Sequence, residues 1–205
     1  MLIRSDLILP LIIFCVAMFY TPGPNNLMLM TSALNVGLRR TLPHICGVAL
    51  GFSFLALCVG FGLDTLFSAY PVTYTILKYA GTGYLLYLAW MIAISPPPKP
   101  NMKSGKKPMT FFHAVAFQWV NPKGWVMAVG AIATYSAIAA YPYNTILMVG
   151  LFIIMGFGSA FAWAGLGAVL QKFLHHPKWV RGFNIAMAIL LVASLYPVFS
   201  EFHHR

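Results

Sequence analysis

Charge is what this sequence lacks. Of its 205 residues only 8% are Asp, Glu, Lys or Arg, and the acids number three: Asp6, Asp64 and Glu201. A water-soluble domain carries about 25% charged residues, so this chain is too poor in charge to cover a water-facing surface. With 60% hydrophobic residues and a mean hydropathy of +0.80, it reads as an all-α integral membrane protein.

Other absences narrow the chemistry. Hydrolysis needs a nucleophile beside a base, or paired acids. No such constellation is found, so no catalytic residue is expected and the chain is not read as an enzyme. Cys15, Cys46 and Cys58 all fall in apolar runs. An odd number in such positions makes no disulfide framework and has no metal spacing; no metal and no cofactor are expected. No small-x-small cleavage site follows the first apolar run, which is therefore read as a retained span. The net charge of +10 would suggest nucleic acid in a soluble protein. Here the basic residues sit in short loops, where they set topology, and no nucleic-acid partner is expected.

What is present is apolar length. Hydropathy marks six segments, 7–35, 41–63, 72–94, 110–137, 145–171 and 182–200, each near the roughly 20 residues that cross a bilayer core. The third, opening with "PVTYT", is the weakest. Residues 1–94 form a first three-helix repeat, 95–109 a linker rich in proline and lysine, and 110–205 a second three-helix repeat. Arg39 and Arg40, then Lys99, Lys103, Lys106 and Lys107, then Lys172, Lys178 and Arg181 fall in three alternate loops. The positive-inside rule places these loops in the cytoplasm and both termini outside.

The first and fourth segments are interrupted, by "TPGPNN" and "NPKG". Proline removes a backbone donor and clashes with the preceding turn. Pro22, Gly23 and Pro24 should therefore end one half-helix and start another, and Pro122 should do the same, with Gly124 permitting close approach. Irregular backbone at membrane depth survives only inside protein or along a wet cavity. Asn25 and Asn26 supply amides there. Three spans per half make the second half enter from the opposite face, giving a 3+3 inverted repeat with its first and fourth helices broken, as in many secondary transporters. Two half-helix N-termini would then face each other, and each attracts anions. Lys123 lies about 20 Å into its span. A lysine at that depth costs on the order of 3 kcal/mol, so it either caps carbonyls freed at the break or meets a ligand, or does both. Gln118, one turn earlier, and Asn121 complete the set.

Asp64 is read as a solvated boundary residue or a cation or proton site; Lys78 as an anchor that could pair with Asp64; His44 and His113 as interfacial. The tryptophans are read as belt or packing residues. Gly47 with Gly51, and Gly158 with Ala162, have the spacing of close helix contacts.

These motifs resemble a known family. "TPGPNNLMLMTSALNVGLRRTLPHICGVALGF", "LKYAGTGYLLYLAWMIAISP" and "FQWVNPKGWVMAVGAIATY" are similar, in that order, to three segments of the LysE/RhtB family of amino-acid exporters. "TPGPNN" and the "LAW-x-IA-x-SP" pattern look most like its cysteine/O-acetylserine branch. The resemblance implies a multi-pass carrier of the bacterial inner membrane, with a small amino-acid substrate, surrounding lipid and a proton-gradient drive, and it leaves a homo-oligomer open. It carries the family's motif over onto Pro22, Gly23, Pro24, Asn25, Gly37, Gly47, Asn121, Pro122 and Lys123. No span holds a clearly central carboxylate, so the coupling candidates are Asp64, His44 and Lys123. Two other classes stay open: a transmembrane thiol–disulfide electron carrier, disfavoured because all cysteines precede the linker, and a passive small-solute pore.

Overall fold

The computed structural model describes residues 3–63, 71–94, 108–173 and 177–193. Asp64, most of the linker with its four lysines, Glu201 and Arg205 lie outside the described residues.

Every regular element among the described residues is helical. The α-helices are α1 (Ile8–Tyr20), α2 (Pro24–Val36), α3 (Leu38–Cys58), α4 (Pro71–Ala93), α5 (Phe111–Val120), α6 (Pro122–Tyr135), α7 (Tyr143–Phe173) and α8 (Pro177–Ala193). The two breaks fall at the expected positions. Ser5–Tyr20 and Pro24–Val36 are bent by 50°, and Asn121 leaves the helical region at φ −85, ψ 107 between α5 and α6. Pro24 and Pro122 each occupy the first helical turn after a break, where a missing N–H has no intrahelical partner to lose. Leu38–Gly62 and Tyr143–Leu170 are each long and apolar enough to cross a membrane, and the bent pair makes a third such unit. Helix α4 is not among them, in keeping with its tyrosines, threonines and Lys78.

Helices α2 and α3 are joined by Gly37 alone. Its φ of 84 and ψ of 158 lie where a side chain is strained, so one residue turns the chain. Packing then runs between the two halves of the sequence. Helix α2 lies along α7, α3 along both α7 and α5, and α4 along α8. One core joins Leu11, Cys15, Phe52, Leu55, Met148 and Phe152. The outside is apolar instead of charged: Phe112 is 79% exposed, Ile154 69% and Leu9 64%. Such a surface suits lipid.

Small residues set the helix spacing. A Cβ on Gly47 would meet the Phe111 carbonyl oxygen at 2.5 Å, and one on Gly51 would meet Val115 Cα at 2.7 Å. The Gly-x-x-x-Gly pair thus seats α5 directly on α3, as its spacing suggests. Gly158 faces the Tyr20 hydroxyl, while Ala162 is exposed. On α7 the close approach falls on Gly167, against the Met30 backbone.

Gly51→Val is expected to destabilise the bundle by about 1–3 kcal/mol through overpacking. Gly83→Ala, with open space around it, should be neutral or stabilise by up to about 1 kcal/mol. Thermal unfolding of the two variants in detergent, side by side, checks both.

Candidate functional site

The two breaks meet. The residue after each N-terminal proline reaches across to the other broken helix. From α6, Lys123 Nζ donates to the Thr21 carbonyl at 3.0 Å, to Thr21 Oγ1 at 2.9 Å and to the Pro22 carbonyl at 3.4 Å. From α2, Asn25 Nδ2 donates to Gln118 Oε1 at 2.8 Å, and Gln118 Nε2 returns a bond to Asn25 Oδ1 at 3.1 Å. Each half-helix start is therefore tied to the end of the half-helix opposite.

The remaining freed groups are satisfied locally. Asn26 Nδ2 donates to the Phe19 and Thr21 carbonyls at 2.8 and 2.9 Å. Ser159 Oγ, from α7, donates to the same Phe19 carbonyl at 2.6 Å. At the second break, Asn121 Oδ1 accepts from the Lys123 backbone N–H at 3.2 Å, an N-cap bond. Trp125 Nε1 donates to the Trp119 carbonyl at 2.8 Å. Each such group left unpaired away from water would cost several kcal/mol.

Gly23 is fixed by a neighbour and not by its own backbone. Its φ of −176 is extended and open to any residue, but a Cβ there would meet Lys123 Cδ at 2.8 Å and Nζ at 3.0 Å. The glycine is the groove through which the lysine reaches the carbonyls.

Beside the clamp lies a narrow cleft with about 440 Å³ of atom-free space, part of it open to the outside. Its polar lining comes from Asn25, Asn26, Asn121, Lys123 and Ser159; Phe19, Phe52 and Met127 contribute an apolar wall. Phe19 stands edge-on to Phe52 at 5.2 Å between ring centroids. Pro22, Pro24, Pro122 and Gln118 shape the site without lining the cleft.

Of the residues singled out in the sequence, nine thus converge: Pro22, Gly23, Pro24, Asn25, Asn26, Gln118, Asn121, Pro122 and Lys123. His44 does not join them. It is 1% exposed within α3, and neither ring nitrogen has a hydrogen-bond partner; its neighbour Pro43 suggested an interfacial place, but α3 starts at Leu38 and carries His44 into the packed region. Thr21, Ser159 and Trp125 were not read as site residues. Thr21 was visible inside "TPGPNN". Ser159 and Trp125 carry no sequence signal, because their role is set by which carbonyl happens to be freed nearby.

The model for LysE-type translocators matches residues 16–194, a stretch holding both breaks. The chain belongs to the LysE-type translocator family. Members of that family are transporters, and nothing here points to an enzyme. Among its relatives are the cysteine/O-acetylserine efflux proteins of Escherichia coli (strain K12) and Shigella flexneri. Each is 31% identical over 182 residues, which is 87% of this chain and 90% of theirs. No solved structure matches the chain.

A double-mutant cycle tests the tie between the breaks. Asn25→Ala and Gln118→Ala should each lower stability, and the pair should show a coupling of about 0.5–3 kcal/mol. Additive losses in detergent unfolding would mean that the amide pair does not hold the two broken helices together.

Proposed function

We propose that this protein is a secondary exporter of small zwitterionic amino acids or amino-acid derivatives, cysteine and O-acetylserine being the first to test. It would act across the bacterial inner membrane, with both termini outside and the central linker in the cytoplasm. The observation that carries this reading is the ammonium of Lys123 held on the Thr21 and Pro22 carbonyls at the edge of the cleft.

Those carbonyls hold one ammonium and are chemically suited to another. A substrate ammonium entering the cleft competes with Lys123 for the Thr21 and Pro22 oxygens. Lys123, released from them, becomes the partner of the substrate carboxylate, assisted by Asn25, Asn26 and the start of α2. One zwitterion thus replaces one internal contact with two external ones. The ring of Phe52 and the side chain of Met127 form an apolar wall against which the substrate side chain would lie. Because the Lys123 ammonium occupies the carbonyls that the substrate would seek, binding requires the clamp to release, which links occupancy to a change of shape.

The pattern of packing supports a 3+3 inverted repeat that rocks by alternating access. The second span of one half pairs with the second span of the other (α3 with α7), and the third with the third (α4 with α8). The crossed bonds of Lys123 and Asn25 follow the same exchange of halves. Helices related this way can swap environments by one rigid motion. Proton coupling is assigned to Lys123, the one coupling candidate that lines the cleft. His44 lies elsewhere, and Asp64 is outside the described residues.

Export of labelled cysteine, O-acetylserine and other neutral amino acids from loaded cells, with and without an uncoupler, checks the reading. Accumulation against a gradient excludes a passive pore. Lys123→Met should abolish coupled export, whereas Lys123→Arg should retain binding and alter the pH dependence. Unchanged export and pH dependence in both variants would remove Lys123 from the mechanism.

A further inference from the structure

The break site has its polar groups paired; another buried region does not. Among the described residues, the buried side-chain atoms without a hydrogen-bond partner are Thr31 Oγ1, Asn35 Oδ1, Asn184 Nδ2 and the two ring nitrogens of His44. None belongs to the break site. Thr31 and Asn35 lie one turn apart on α2, and Asn184 faces them from α8. Thr31 is 5% exposed, Asn35 8% and Asn184 0%.

The amide orientations are determined. Asn35 Nδ2 donates to the Thr31 carbonyl at 2.7 Å. A flip would set two acceptor oxygens against each other, so Oδ1 must point away and lack a donor. Asn184 Oδ1 faces the same Asn35 nitrogen at 3.4 Å, which leaves Asn184 Nδ2 without an acceptor. The site therefore offers an acceptor, a donor and a hydroxyl that serves as either. A buried amide left unpaired costs about 1–3 kcal/mol, and the two helices meeting there would be more stable with leucine in its place. Such a cost is retained where a group has a partner in another state.

We infer that Thr31, Asn35 and Asn184 form a second binding station for the amino-acid head group of the substrate, between the cleft and the basic end of the bundle. The inference rests on the exporter reading. Asn35 Oδ1 takes the ammonium and Asn184 Nδ2 the carboxylate, with Thr31 Oγ1 on either. All three are neutral, so the station suits a species without net charge. Asn35 lies nine residues beyond Asn26, about 14 Å along α2, and two residues before Gly37, after which Arg39 and Arg40 follow. The station is thus on the route from the basic loops to the cleft, and it is closed in this conformation.

Two measurements test it. Asn184→Leu and Thr31→Val remove two of the three unpaired atoms and keep the branching and heavy-atom count of each side chain. They are expected to leave thermal stability in detergent equal or raised, while lowering the rate of amino-acid export in reconstituted vesicles by about tenfold, the equivalent of one lost hydrogen bond to the substrate. Stable variants that export at the parental rate would overturn the station. Separately, in the full chain with Cys15, Cys46 and Cys58 changed to alanine, Asn184→Cys is exposed to a small water-soluble thiol reagent applied from the side of the basic loops. Labelling that added O-acetylserine, which carries no thiol to consume the reagent, slows supports the station. A thiol that stays unlabelled from both sides overturns it, whatever the transport result. If the parental chain exports no zwitterion at all, the exporter reading fails, and the labelling alone decides whether the buried amides ever open to the route.

Discussion

One constraint governs this molecule: a helix broken inside a membrane frees backbone carbonyls that have no water to turn to. The first break frees the carbonyls of Phe19, Thr21 and Pro22, and every donor that satisfies them comes from a side chain placed for the purpose. Asn26 serves two of them from the next half-helix, Ser159 comes from α7, and Lys123 comes from the other broken helix. The lysine is therefore both the most expensive residue in its span and the remedy for the break opposite. Lys123 is half-buried, and three oriented oxygens converge on its ammonium, offsetting the water it loses. The structural and the functional accounts of Lys123 are one account, since the carbonyls that hold it are the ones a ligand ammonium would seek.

The glycines belong to the same logic. Gly23 gives Lys123 its channel, Gly47 and Gly51 bring α5 onto α3, and Gly37 turns the chain from α2 into α3 in one residue. Together they bring the end of α5 within reach of Asn25 and keep the cleft narrow. With bulkier residues at these points the helices would stand farther apart, and the freed carbonyls would lose their partners.

Much of this was legible in the sequence. The prolines at matched places and a lone lysine were sufficient to anticipate the breaks and their convergence; of the six apolar segments, two helices and one bent pair among the described residues are long and apolar enough to cross a membrane. Prolines act locally, so their effect can be read from neighbours in the chain. Partners across space cannot. Nothing in "TPGPNN" indicates that Asn26 turns back to its own helix while Asn25 crosses to Gln118, and nothing near Trp125 marks it as the donor for the Trp119 carbonyl. Nor does the composition of α2 and α8 disclose unpaired amides, because a buried asparagine next to a good partner and one without a partner look alike in a sequence. His44, read as interfacial, shows the same limit: it lies inside α3, which runs through Pro43, and its burial is set by helices that its neighbours in the chain do not reveal.

The distribution of satisfied and unsatisfied groups gives the conformation a direction. This conformation pairs the polar groups of its break site and leaves Thr31, Asn35, Asn184 and His44 short of partners elsewhere. In the exporter proposed above, opening at the amides would hydrate them and lower their cost, and opening at the break would cost the Lys123 clamp. The two moves involve different helices, α8 against α2 in the first and α6 against α1 in the second. In that proposal each gate has its own polar lock, so that one opens while the other holds, as a carrier requires and a pore does not.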